Sequence, residues 1–325
     1  MMDVRVRTLH DWEHKQPGRL GRPPTPAPVR RAAYRSVVRD WERQGRSAGW
    51  RPVAAALGAR VSTYLVQSSL REGKKRWRRR KEEHAQRHRT SVVVHARDAV
   101  WSIDAAQLGY GPDGPVEGQA VRDPASRATP AVRAGAAPTA DDVIAVLDEA
   151  RAVRGTLPLV VTMDNGPPYR SRKVRTYLAR HRVVPLFNLP HTPQHNPFVE
   201  RAIGELRQDS GLGARSLVPD ARTAARWWRE SAARLDQERL RATLGYRTAA
   251  QADAELPRAP DAVDRARFYA EACCALRRAV LGCKGARARR RAERNSIYAT
   301  LENFDLITRT RGGAPLAPIE TEVFS

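Results

Sequence analysis

Cysteine is scarce in this 325-residue chain. The three present, Cys273, Cys274 and Cys283, are an odd number, all late in the chain, without the paired spacing of a zinc site. That excludes a disulfide framework and leaves the region before residue 273 without a His/Cys zinc module. The cysteines read as small, partly buried helix residues. Long apolar runs are missing as well, so no stretch is suited to span a bilayer. The first residues, including His10, Asp11, Glu13 and His14, lack the apolar core of a secretory signal. Acid is in short supply: 35 Asp and Glu face 58 Lys and Arg, for a net charge of +23. These absences predict a cytoplasmic protein without a membrane partner, and the Ala- and Arg-rich composition suggests a bacterial one. The surplus of positive charge attracts polyanions, nucleic acid first, because neutralising phosphates releases counterions.

Composition shifts divide the chain. Residues 1–28 end in a proline-rich run and read as an extended arm. Residues 29–72 carry three short helical patterns with a glycine turn before the last, which fits a helix-turn-helix. Residues 73–96 are a charge-dense linker. A charge run is commonly only a solvated helix face. Here Lys74, Lys75, Arg76, Arg78, Arg79 and Arg80 so outnumber the acids that the run is expected to follow DNA phosphates. Residues 97–212 alternate strand and helix patterns, as an α/β domain does. Within them, residues 100–105 alternate as a strand and residues 157–163 form a short apolar run, as in a buried strand. Thr139 is placed to cap a helix closed by Gly155. Residues 213–325 read as mostly helical and basic, with a hairpin arm suggested near residues 306–313.

Three acids occupy telling positions. Asp104 lies in the first strand of the α/β domain, and Asp164 follows the apolar run, opening Asp164-Asn165-Gly166-Pro167. Glu200 falls in the first turn of a helix begun by Asn196-Pro197. Acids at strand ends are costly to bury unless a cation offsets them, and converging carboxylates are hard ligands for Mg²⁺ or Mn²⁺. Singly, each is ordinary: an Asp-Asn-Gly is usually a turn, and a helix-start Glu is usually a dipole partner. Their order and spacing are what carry weight.

These motifs resemble the DDE group, the catalytic core of bacterial insertion-sequence transposases and retroviral integrases. The matching residues are Ile103-Asp104, Asp164-Asn165-Gly166-Pro167, and Pro193-Gln194-His195-Asn196-Pro197-Phe198-Val199-Glu200-Arg201, with 35 residues between Asp164 and Glu200. Asp123-Pro124-Ala125-Ser126-Arg127 resembles the group's Asp-x-x-Ser-Arg segment. Asp236-Gln237-Glu238-Arg239 and residues 244–248 resemble the stretch following many such cores. Pro168 stands where many relatives have an acid, Tyr169 where they have Phe, and Leu240-Arg241 where they have Pro-His.

The resemblance implies an RNase H-like core, a mixed sheet flanked by helices, preceded by an all-helical helix-turn-helix region and followed by a mostly helical one. It implies two Mg²⁺ or Mn²⁺ ions on Asp104, Asp164 and Glu200, serving DNA cleavage and strand transfer. It further implies double-stranded DNA as partner (element ends and target), a homo-multimer on that DNA, and a nucleoid-associated state when bound. Arg201 and Arg207 are expected DNA contacts, Arg207 being two turns after Glu200 on nearly the same helix face. The alternatives are a catalytically inactive, transposase-derived regulator and a metal-dependent nuclease without strand transfer.

Overall fold

The computed structural model describes residues 25–88, 90–188 and 197–316. The expected arm, up to residue 24, and the Pro193–Asn196 part of the third motif lie outside the described residues. The chain divides into two compact units, Met1–Arg89 and Thr90–Ser325.

The first unit is built from three helices. In α1 (Ala27–Arg43), Ala33, Val37 and Trp41 recur every fourth residue and are buried. α2 (Trp50–Leu57) buries Val53 and ends at Gly58, whose φ of +58° admits the turn into a single 3₁₀ turn, Gly58–Arg60. α3 (Thr63–His88) adds Val66 and Leu70 to the same small core. α3 also absorbs the basic run that the sequence set apart as a linker. No proline interrupts it, and its few acids sit at helical spacing, pairing Glu72 with Arg76 and Glu83 with Arg79, both at 2.7 Å. Trp77 is packed edge-on to Trp41, with ring centroids 6.3 Å apart.

The second unit is organised on a five-stranded sheet. Its strands β2 (Val100–Gly111), β3 (Gly114–Arg122), β4 (Ala131–Gly135), β5 (Val160–Met163) and β6 (Val184–Phe187) lie in the order β4-β3-β2-β5-β6. The β2–β3 and β3–β4 pairs are antiparallel, and β2–β5 and β5–β6 are parallel. This mixed sheet flanked by helices is the RNase H-like fold expected from sequence. A parallel pair needs a crossover. The β4-to-β5 crossover is α4 (Ala140–Arg154), begun by a Thr139 capping box and ended at Gly155 in the left-handed region. The β5-to-β6 crossover holds a single turn, α5 (Pro167–Arg170), and then α6 (Arg172–Arg180).

Strand alternation assigns the faces. Trp101 and Ile103 of β2 pack against Val143, Val146 and Leu147 of α4 and Val174 and Leu178 of α6. The opposite face is covered in two halves. Over β2 and β3 lie α7 (Pro197–Ser210) and α8 (Ala221–Glu238), with Val199, Ile203, Leu206 and Trp228 in contact with Leu108, Val116 and Ala120. Gly118 is the reason Trp228 can seat there: a Cβ on it would lie 2.3 Å from the indole ring. The short helices α9 (Ala249–Glu255) and α10 (Ala259–Ala262) lead to α11 (Arg265–Val280) and α12 (Ala286–Asn303). Phe268, Ala272, Ile297 and Leu301 of α11 and α12 bury Val160, Val184 and Leu186 of β5 and β6. Residues 213–303 are therefore part of the same core as the sheet.

One element was illegible as a strand. β1 (Thr90–Val94), within the expected linker, pairs antiparallel with β7 (Ile307–Arg311), which continues into β8 (Ala314–Pro315). The suggested C-terminal hairpin is real, but its main partner comes from more than 200 residues earlier.

Candidate active site

The register of the parallel pair brings the first two acids together. Val100 pairs with Val160 and Ser102 with Thr162. Carried one step beyond, the register sets Asp104 beside Asp164 on strands about 4.8 Å apart. Asp104 shares its strand face with Val100 and Ser102, the face crossed by α7. The apolar stripe Val199, Ile203 and Leu206 holds α7 down on the sheet, leaving Glu200 exposed in the first turn.

The electrostatics agree. Asp104 is pushed from 3.8 up to about 7, by burial first and then by the charges of Asp164 and Glu200, against a hydrogen bond from the Ala105 amide. Glu200 is raised by burial and by Asp164. Among the described residues, none of the three acids forms an ion pair, in a chain with 58 Lys and Arg. Three adjacent carboxylates without a protein cation are a donor set of hard oxygens, which fits Mg²⁺ or Mn²⁺. They are neighbours rather than a closed cage: among the described residues no three ligating side chains are gathered into a formed metal site. Asp164 and Glu200 both face solvent, so their carboxylates have room to swing toward a cation.

Several supports were not read from sequence. Asn188, the residue after β6, donates from Nδ2 to Asp164 Oδ1 at 2.8 Å, and its own amide binds the Met163 carbonyl at 2.9 Å. The Asn165 side chain donates to the Asn188 carbonyl. Tyr169 is buried and accepts from Gln119 Nε2 at 3.3 Å. Its hydroxyl is held protonated by burial and by the negative charges of Asp104 and Asp164. The signal for Asn188 was its place at the end of a strand parallel to the one carrying Asp164.

Asp123 and Arg127 are structural. Asp123 is fully buried and accepts the amides of Asp98 and Ala125 at 2.8 Å, closing the turn after β3. Burial raises it to about 6, against those donors and Arg154. Arg127, with φ at +64°, stacks its guanidinium 4.3 Å from the Phe198 ring and so steadies the start of α7. Arg241, in place of the family's His, is buried and binds Glu205 of α7 at 2.8 Å.

The expected DNA contacts separate into two groups. Lys75, Arg78, Arg80 and Arg201 are exposed and, among the described residues, without an ion pair. Arg76 and Arg79 are exposed but paired with Glu72 and Glu83. Lys74 is engaged internally, donating to the Ala48 carbonyl at 3.0 Å with its ammonium 5.9 Å from the Trp41 ring centre. Arg207 lies beside the buried stripe of α7, half-buried, and its guanidinium donates to the Gln107 carbonyl in β2.

Residues 94–193 match the family model described as Integrase core domain. That stretch, under a third of the chain, is thus similar to an integrase core domain. The match includes Asp104 and Asp164 and stops short of Glu200, whose place rests on the geometry above. Solved structures give looser likenesses. The HTLV-2 integrase catalytic core domain in complex with magnesium is 16% identical over 49% of this chain and 97% of that one, with a TM-score of 0.40. A chain of the simian T-cell lymphotropic virus intasome in complex with PP2A regulatory subunit B56 gamma is 16% identical over 69% of this chain and 78% of that one, at 0.43. The BIV integrase catalytic core domain is 18% identical over 49% and 95%, at 0.36. The family match, and not these overlays, carries the assignment. No curated protein sequence matches the chain. Among the described residues no helix is long and apolar enough to cross a membrane.

Proposed function

We propose that the protein is a DNA transposase or integrase that cleaves DNA at element ends and joins the freed 3′-hydroxyl to target DNA. The observation that carries this reading is the β2–β5 register, which sets Asp104 beside Asp164 inside an integrase core domain, with Glu200 coupled to both. Asp104, Asp164 and Glu200 are the residues that would hold Mg²⁺ or Mn²⁺ ions. Such ions, when bound, activate the attacking oxygen and stabilise the leaving one. The protein's own residues position and exclude. Asn188 orients Asp164, Tyr169 lies within reach of the charges of Asp104 and Asp164 and is itself held by Gln119, and Arg201 stands next to Glu200 to meet a phosphate. In the first step a water oxygen attacks phosphorus and the 3′-oxygen leaves with a proton. In the second, that 3′-hydroxyl attacks a target phosphodiester and displaces another 3′-oxygen. No protein nucleophile is required.

The exposed arginines and lysine of α3 supply sequence-independent affinity for double-stranded DNA. Bringing two ends together calls for a homo-multimer on DNA, acting in the bacterial cytoplasm at the nucleoid. The test is a joining assay with labelled duplexes from the element's ends, run beside a DNA-binding assay. Asp104→Asn, Asp164→Asn and Glu200→Gln should each lose cleavage and joining while binding DNA as the wild type does. Joining by Asp164→Asn at the wild-type rate would overturn the reading. Cleavage by the wild type without joining would reduce it to a nuclease.

A further inference from the structure

The basic cluster before the last helix splits in two. Arg287, Arg289 and Arg291 are exposed on the first turns of α12, whereas Arg294 is buried, at 8% exposure. Its position explains the difference. Ile297, Tyr298 and Leu301 follow it at i+3, i+4 and i+7, so Arg294 stands on the stripe that packs α12 against β5 and β6. A buried guanidinium is costly unless its donors are used. Arg294 uses one on the Tyr298 hydroxyl at 2.5 Å, whose ring lies under the guanidinium at 5.0 Å, and one on Asn188 Oδ1 at 3.4 Å.

The second contact orients an amide. Asn188 has one carbonyl oxygen and one NH₂ group on a planar side chain. With Oδ1 facing Arg294, Nδ2 must face the other way, and it donates to Asp164 Oδ1 at 2.8 Å. The reverse rotamer would set an NH₂ against a guanidinium and a carbonyl oxygen against a carboxylate, two repulsive contacts in place of two attractive ones. The main-chain bonds of Asn188 to Met163 and Asn165 fix where the side chain begins. Arg294 decides which way it points.

We propose that Arg294, on the C-terminal helix α12, is a positioning residue for the active site, fixing the Asn188 amide so that it holds the Asp164 carboxylate for a divalent cation. This rests on the metal-site reading of Asp164. It gives the C-terminal helices a task in the site beyond covering the sheet: a chain ending at residue 212 would keep all three acids and lose the residue that orients the second.

The experiment measures Mn²⁺ binding to the full chain without DNA, by electron paramagnetic resonance of the free ion, with thermal melting beside it. The wild type is compared with Asp164→Asn, Arg294→Met, Arg294→Lys and Asn188→Ser. Arg294→Met and Asn188→Ser should each weaken Mn²⁺ binding by about 10- to 100-fold, the range for losing a residue that supports a metal ligand. Arg294→Lys, which keeps a cation facing Oδ1, should recover part of that loss. A purely structural arginine would lower the melting temperature and leave Mn²⁺ affinity alone, and that result overturns the proposal. Should Arg294→Met not fold, Asn188→Ser, which leaves α12 intact, decides: wild-type Mn²⁺ affinity in it overturns the proposal equally. Failure of the underlying reading looks different, because Asp164→Asn itself would then bind Mn²⁺ as the wild type does.

Discussion

Arg207 of α7 donates its guanidinium to the main-chain carbonyl of Gln107 in β2, three residues beyond Asp104. Gln107 begins the β-bulge of β2, where the register with β3 shifts between Gln107 and Gly109. A bulge disrupts the ladder locally, and the arginine binds the strand at the residue where the disruption starts. Since Arg207 and Glu200 are seven residues apart on one helix, this bond also fixes the rotation of α7, and with it the direction of Glu200.

Arg207→Met should therefore impair joining rather than DNA binding. Methionine keeps the apolar stem and removes the clamp. We expect joining to fall by about 10- to 100-fold, as when a ligand's support is lost, with DNA affinity and its salt dependence unchanged in a filter-binding titration. A variant that binds DNA more weakly, with a shallower salt slope, yet joins normally once saturated, would return Arg207 to the role of a phosphate contact.

The helical unit offers a sharper division among its basic residues. A fragment of residues 1–90, which includes its own core of Val37, Trp41, Val53, Val66 and Leu70, should bind duplex DNA without a divalent cation. Affinity should fall steeply with salt, since each neutralised phosphate releases counterions. Replacing Arg78 and Arg80 with Gln should weaken binding and flatten the salt slope at unchanged melting temperature. Lys74→Met should do the opposite, lowering the melting temperature through its lost bond to Ala48 with little change in slope. Salt-insensitive binding by the fragment would remove this unit from DNA recognition.

Trp228 seats against Gly118, and a methyl group there has nowhere to go: the added carbon would lie 2.3 Å from the indole and 2.6 Å from Leu108 Cδ1. Gly118→Ala should destabilise the protein by about 1–3 kcal/mol, the usual cost of overpacking a core, read as a lower denaturation midpoint at unchanged slope. A midpoint equal to wild type would mean that α8 does not rest on β3.

The sheet that holds Asp104 and Asp164 was legible because its signals are local. Strand alternation around Asp104, the apolar run before Asp164 and the capping box at Thr139 each lie within a few neighbouring residues. Glu200 was legible from Asn196-Pro197, a capping residue followed by a proline suited to the first helical position. What could not be read depends on partners far along the chain. β1 shows no alternation of its own and finds its partner only in β7, and it follows a basic run that masks its start. Arg207 and Arg294 look like surface charges in a chain so rich in arginine, and only the packing of their helices turns them inward. Helical spacing does give a trace of this at Arg294, which stands in line with Ile297 and Leu301. For Asn188 the trace is its place directly after β6, the strand parallel to β5.

Asp104 makes stability depend on pH and on cations together. Its carboxyl is raised from 3.8 to about 7 by burial and by the charges of Asp164 and Glu200. A group whose folded pKa lies above its unfolded value stabilises the fold fully below the unfolded value and loses that contribution as pH rises through the folded one. Without divalent cations, this group's contribution should thus be present near pH 4 and should disappear by about pH 8, with most of the decline between 4 and 7. Asp104→Asn removes the titrating carboxyl, so at pH 8 without metal the variant should melt higher than the wild type, and the two curves should approach each other at low pH. Cations reverse the ranking. A bound divalent ion favours the ionised form and binds the folded state preferentially, so Mn²⁺ should raise the wild-type melting temperature most at and above neutral pH and raise that of Asp104→Asn much less. Melting both proteins from pH 5 to pH 8, with and without Mn²⁺, checks each part. Parallel curves for the two proteins without metal would mean that Asp104 titrates as an ordinary surface acid. Equal gains from Mn²⁺ would mean that the ions bind away from Asp104.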